Sequence, residues 1–135
     1  MDQVYINHAA VITCAAANLA LGALWYSPAM FYQAWKKENH FTDEQLKTIN
    51  PAKVYGVSFI LSVIISYNMA FFLGGPETGM AWGATAGFLA GFGFSALIFT
   101  VIGLFEMRSW KYILINGGYI SLYFTIIGFI LGAWR

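Results

Sequence analysis

The sequence predicts an all-α integral membrane protein, with four transmembrane helices and an interfacial helical segment between helices one and two. Composition is the first support. Of 135 residues, 59% are hydrophobic and 10% charged, against about 25% charged in a soluble domain. A soluble protein of this size cannot keep so much apolar surface out of water. Length is the second support. The apolar residues fall in four runs, about 4–26, 54–73, 80–105 and 112–134, with no Lys, Arg, Asp or Glu in their middles. At 1.5 Å per residue each is roughly 30–39 Å long, enough for a hydrocarbon core of about 30 Å. Uniformity is the third. Barrel strands alternate apolar with polar over about ten residues, and these runs do not alternate. The whole chain, 1–135, reads as a single four-helix transmembrane domain.

The first run opens with Met1-Asp2 and lacks a basic leader, so it is expected to stay in the mature chain. The polar segment 27–53 reads as two short helices. Ser27 is placed to cap the first, with Pro28 at its first position. Phe31 and Trp35 then share a face beside Lys36 and Lys37, as in a helix lying in the interface. Thr42-Asp43-Glu44-Gln45 has the capping-box pattern for the second. Asn50-Pro51 repeats cap-then-proline and opens the second span.

The third run holds GMAWGATAGFLAGFGFS, in which Gly79, Gly83, Gly87, Gly91 and Ser95 recur every fourth residue. Gly costs about 1 kcal/mol against Ala in a helix. The compensation in lipid is close helix approach, because leaving acyl chains for another helix gains Leu little. The stripe therefore reads as a helix-packing surface, within the chain or between two copies, with a functional hinge or pore wall as the remaining reading. Ser58, Ser62 and Ser66 of span two are a candidate partner. Span one offers Ala9, Ala16, Ala20 and Ala23 with Gly22, and span four offers Gly128 and Gly132. A gapless alignment of 53–74 with 111–132 superposes Lys, Phe, Leu and Gly pairs, the pattern of a weak parallel repeat.

With four spans, Lys36, Lys37, Lys47, Lys53, Arg108 and Lys111 share one side, and only Arg135 among the basic side chains falls on the other, with Asp2 and Glu77. The positive-inside rule makes the first side cytoplasmic and puts both termini outside. Trp25, Tyr26, Trp35, Tyr55, Trp110 and Tyr112 would form the inner aromatic belt, and Tyr5, Trp82 and Trp134 the outer one.

GALWYSP at 22–28 followed by Phe31 and Trp35, Phe105-Glu106 followed by Trp110-Lys111, LINGGY at 114–119, and Gly128 with LGAW at 131–134 form a recognisable set. Together they resemble the bacterial membrane family known as domain of unknown function 1761. The resemblance runs from Asn7 to Trp134 and implies a small four-span inner-membrane protein. It implies no activity.

Chemistry-bearing side chains are few. Asn7, Cys14 and Asn18 share a face of span one, Asn68 and Tyr67 lie in span two, and Asn116 and Tyr119 flank Gly117-Gly118 in span four. Buried amides in lipid need partners. These residues make interhelical hydrogen bonds, or else Asn18, Asn68, Asn116 and Tyr119 line a polar cavity for a small solute or ion. Glu106 and Arg108 sit where span three meets the interface. Arg108 is expected to snorkel, and Glu106 to pair with Arg108, Lys111 or Lys53. Trp25, Tyr26, Trp35 and Trp110 read as interface anchors or as a cation cage.

His8 and His40 fall at opposite faces, and Cys14 is the single cysteine, so no metal site is expected. No hydrolase triad, HExxH or P-loop is present, so no catalytic residue and no cofactor are assigned. A net charge of +1 gives no nucleic-acid footprint. Expected partners are the lipid bilayer and a second copy of the chain, a dimer being favoured. Three functions stay open: a channel or transporter subunit for a small solute or ion, a structural or accessory protein acting through helix or lipid contacts, and a membrane enzyme acting on a lipid or quinone.

Overall fold

The computed structural model describes residues 5–135. The described residues are largely helical and include four helices long and apolar enough to cross a membrane. Helix α1, His8–Trp25, starts where the Asn7 side chain accepts from the Ala10 amide. Val4, expected to open this span, and Asp2 lie outside the described residues. Two short helices follow, α2, Tyr32–Glu38, and α3, Asp43–Lys47. The second span is α4, Pro51–Phe72, capped by Asn50 with Pro51 at its first position. The third is Met80–Phe105, made of α5, Met80–Ala90, a π-helical turn at Gly91–Ala96, and α6, Leu97–Phe105. The fourth is α7, Trp110–Ala133, capped by Ser109.

The capping box forms in full: Thr42 Oγ1 accepts from the Gln45 amide at 3.1 Å, and Gln45 Oε1 accepts from the Thr42 amide at 2.8 Å. Ser27 behaves differently from the sequence expectation. Its hydroxyl donates back to Leu24 O at 2.6 Å, and the chain turns through Pro28 before α2 starts at Tyr32. The end of α1 leaves carbonyls unsatisfied, and Ser27 is spent on one of them. Arg108 N–H reaches back to Gly103 O as Met107 turns to positive φ, the Schellman ending that lets the chain reverse into α7.

Helix α7 is the centre of the bundle. The third span packs along one side of it, and α1 packs on both α7 and α4. Helices α5 and α7 meet backbone to backbone. A methyl added at Gly83 would collide with the Gly128 carbonyl oxygen and lie 3.1 Å from Gly132 Cα; one at Gly128 would collide with Gly83 O. One at Gly87 would meet Phe124 O, and one at Gly132 would meet Gly79 O. Each carbonyl sits over a glycine of the facing helix, the geometry of weak Cα–H···O hydrogen bonds worth about 0.5–1 kcal/mol each.

The partner of the glycine stripe is thus α7, and the serine face of α4 turns instead to α1 and α7. Backbone approach this close needs glycine on both helices, and a serine Cβ and hydroxyl would hold them apart. The stripe also leaves its fourfold spacing at the π turn. Gly91 is buried with Phe124 Cβ near it, but the next residue buried on that side is Ala96, not Ser95. A π turn closes over five residues rather than four, so it moves 96 into the seam. Ser95 donates to Ala90 O at 3.2 Å and lines a groove beside the seam.

Candidate functional site

Polar groups recur along the faces that α1, α4 and α7 turn to one another. At the basic end, Tyr26 closes α1, and its hydroxyl donates to Asn116 Oδ1 at 2.5 Å, while Asn116 Nδ2 donates to Tyr112 O. The Trp25 indole N–H donates to Ile115 O at 2.9 Å. Small residues make this junction possible. A methyl on Gly118 would come within 3.1 Å of the Trp25 ring, and one on Gly22 within 3.2 Å of the Tyr119 hydroxyl. WYSP and LINGGY, far apart in sequence, therefore interlock here. Trp25 packs tilted against Phe31, and Tyr26 meets edge-on Trp35, which in turn meets Phe41. These aromatic rings pack on each other at the basic end of the seam. Trp110 stays exposed.

Deeper in, Tyr119 lies against Tyr26 and Tyr123, and its hydroxyl reaches Asn18 O at 3.4 Å. Tyr123, 7% exposed, donates to Ser62 Oγ at 2.8 Å. Asn18 is fully buried, at 0% exposure, with its amide against Tyr123, and neither amide atom makes a hydrogen bond of good geometry among the described residues. Ser66, one turn along α4 from Ser62, is likewise at 0% with an unpartnered hydroxyl. Cys14, one turn along α1 from Asn18, is buried with its thiol 3.8 Å from Ile127 O. At the far end His8 Nδ1 and the Tyr67 hydroxyl share a bond of 2.8 Å.

An unpaired buried amide costs about 1–3 kcal/mol by protein mutational data, and more in hydrocarbon. Three such atoms in one stretch of seam are the outstanding chemical feature of the molecule. All three are closed to a water-sized probe, so water or a small polar solute reaches them only where the helices part.

The structure brings Asn18, Asn116 and Tyr119 onto this seam and leaves Asn68 out of it. Asn68 is exposed on α4 and faces a groove of about 510 Å³ between α4 and the third span, lined by Phe72, Trp82, Leu89, Phe94 and Ser95 among others and floored by Phe124. Glu106 is exposed and, contrary to expectation, pairs with none of Arg108, Lys111 and Lys53; among the described residues the one ion pair is Lys36–Asp43. Asp43 holds the Lys36 ammonium above its ordinary range through their hydrogen bond. Arg108 turns from Glu106 to Asn39 Oδ1 and lies 3.7 Å over the Tyr112 ring. An exposed carboxylate gains little from pairing, whereas the ring and the amide hold the guanidinium by stacking and a directed bond.

Sequence reasoning missed Tyr123 and gave Ser62 and Ser66 only a packing role. The available signal was register: Tyr119 and Tyr123 are four apart, as are Ser62 and Ser66, so each pair shares a face.

A family model described as protein of unknown function, DUF1761, matches residues 9–132. No curated protein and no solved structure matches the chain.

Proposed function

This chain belongs to the DUF1761 family, described as proteins of unknown function, and on that premise we propose that it carries a small solute or ion across a bacterial inner membrane along the α1–α4–α7 seam. The observation that supports this reading is the Asn18 amide, fully buried at the middle of a span with both polar atoms unpartnered. Around it the seam offers polar groups at successive helical turns, from Tyr26–Asn116 to His8–Tyr67. The distribution of basic residues supports a cytoplasmic position for Tyr26, with both termini outside. Reconstituted vesicles test the reading. Solute or ion flux above that of empty liposomes supports it, and no flux across a broad panel refutes it.

A second reading, a structural or lipid-binding protein, draws on the α4–α5 groove, which is apolar apart from Asn68 and Ser95. Lipid retained through mild-detergent purification, seen by native mass spectrometry, would favour it. The same spectra count subunits. The glycine seam is occupied within the chain, so the dimer we favour pairs through another face, for which the exposed Ala9, Ala16 and Ala20 of α1 are small enough.

A further inference from the structure

We infer that a slot between the end of α1 and the start of α7, at the basic end of the bundle, binds one phospholipid of net negative charge. Its acyl chain lies between Trp25, Phe31 and Leu114, and its headgroup phosphate meets Lys111. The site stands apart from the permeation reading and does not depend on it. The slot holds about 350 Å³ and is lined by Trp25, Phe31, Lys111, Leu114, Ile115 and Gly118. Lys111 carries its one charge, and the rest of the open lining is almost wholly apolar.

The order of residues along α7 gives the slot a direction. Lys111 lies in the first turn, Leu114 and Ile115 one turn further into the span, and Gly118 two turns. The cation stands at the membrane surface, and the apolar wall continues from it toward the hydrocarbon for roughly 10 Å at 1.5 Å per residue. A bilayer lipid presents its groups in the same order.

The walls are fixed before any ligand arrives. The Trp25 indole N–H donates to Ile115 O at 2.9 Å, and the Phe31 amide donates to Trp25 O at 3.0 Å. The two rings lie 4.7 Å apart. Gly118 lets the indole seat, since a methyl there would come within 3.1 Å of it. Side chains already held in place lose little further freedom on binding.

Dimensions and charge select the occupant. A volume of about 350 Å³ spread over roughly 10 Å leaves a width of about 6 Å, half that of a helix at about 10–12 Å. The slot takes a hydrocarbon chain and is too narrow for a helix of a second copy. Among the described residues the one ion pair is Lys36–Asp43, so the Lys111 ammonium has no carboxylate of its own. No acidic residue lines the slot, and Glu38 accepts instead from the Ser109 hydroxyl at 2.6 Å. The ammonium of a zwitterionic headgroup would find no counter-charge there, whereas a headgroup whose only charge is phosphate matches what the slot offers.

Native mass spectrometry of the full chain in mild detergent, titrated with dioleoyl phosphatidylglycerol or dioleoyl phosphatidylcholine, provides the test. The first phosphatidylglycerol is expected to bind several-fold more tightly than the first phosphatidylcholine. Lys111→Gln is expected to weaken it about fivefold, the worth of one lysine near an anionic lipid surface, and to leave phosphatidylcholine binding unchanged. Lys53→Gln is the control. Lys53 is also exposed in the first turn of a span, but no aromatic ring lines the surface beside it, and its loss should change neither lipid. Leu114→Trp places bulk in the slot from an exposed position and is expected to displace the first bound lipid. Glycerol phosphate, which has the anion without the chains, is expected not to compete.

Equal affinity for the two lipids overturns the inference. Equal losses from Lys111→Gln and Lys53→Gln also overturn it, because they mark a general attraction of the basic face. A first lipid that Leu114→Trp leaves in place, or that glycerol phosphate displaces, overturns the chain slot. None of these outcomes bears on solute flux, so the permeation reading stands or falls separately.

Discussion

Substituting Gly83 or Gly128 by alanine places one methyl group where the structure has a carbonyl oxygen of the facing helix. Backbone cannot rotate out of the way, so the whole α5–α7 seam has to open. A radial gap of about 0.5–1 Å forfeits a quarter to a half of each van der Waals well it spans, and the weak bonds from glycine C–H to the facing carbonyls lengthen with it. Overpacking costs about 1–3 kcal/mol. With backbone on both sides the value should fall near the top of that range. Alanine returns up to about 1 kcal/mol of helix propensity. The net expectation is a loss of about 2 kcal/mol, up to about thirtyfold in the folded-to-unfolded ratio.

Gly56 supplies an internal control: a methyl there meets nothing within 4 Å, so Gly56→Ala should be neutral or stabilise by up to about 1 kcal/mol. Unfolding by SDS in mixed micelles, followed through the fluorescence of the five tryptophans, separates the two outcomes. Gly83→Ala and Gly128→Ala unfolding at the same SDS fraction as Gly56→Ala would refute the glycine-seam argument.

Three further expectations rest on other parts of the molecule. Tyr26→Phe removes the bond to Asn116 and should cost about 1 kcal/mol in the same mixed-micelle titration, while leaving the ring packing in place. Cys14 is fully buried, so a maleimide should label the native protein far more slowly than the SDS-unfolded one; equal rates would mean that α1 does not pack as described. Reporter fusions after residues 45, 77, 109 and 135 should place the first and third in the cytoplasm and the other two outside.

Much of the fold was open to a reader of the sequence, because lipid imposes one-dimensional rules. A run of about 20 apolar residues has to become a helix, since nothing in hydrocarbon satisfies a bare backbone. The caps at Thr42 and Asn50 are short-range chemistry, and they appear where the residue types call for them. Ser27 shows the limit of such rules. A serine before a proline suits a cap, but the neighbouring helix end competed for the same hydroxyl.

The site was harder to read. Asn18, Asn116 and Tyr119 stand out in the sequence as polar groups inside apolar runs, and all three lie on the seam. Asn68 has the same composition and register logic, yet it faces the groove, because α4 turns Ser62 and Ser66 toward α1 and α7. Which face of a helix looks inward depends on its neighbours, and an all-apolar helix in lipid carries no polar stripe to announce it.

By itself, then, the sequence determined the number of spans, their lengths, the caps of α3 and α4, and the existence of a surface of very small side chains. Those features follow from local chemistry and from the solvent. Only the tertiary structure decided that the small surface on the third span meets Gly128 and Gly132, that the π turn hands the seam from Gly91 to Ala96, and that Asn18 and Ser66 are buried without partners. Pairing between distant segments depends on shape fitting shape across the bundle, and shape of that kind is a property of the packed helices together.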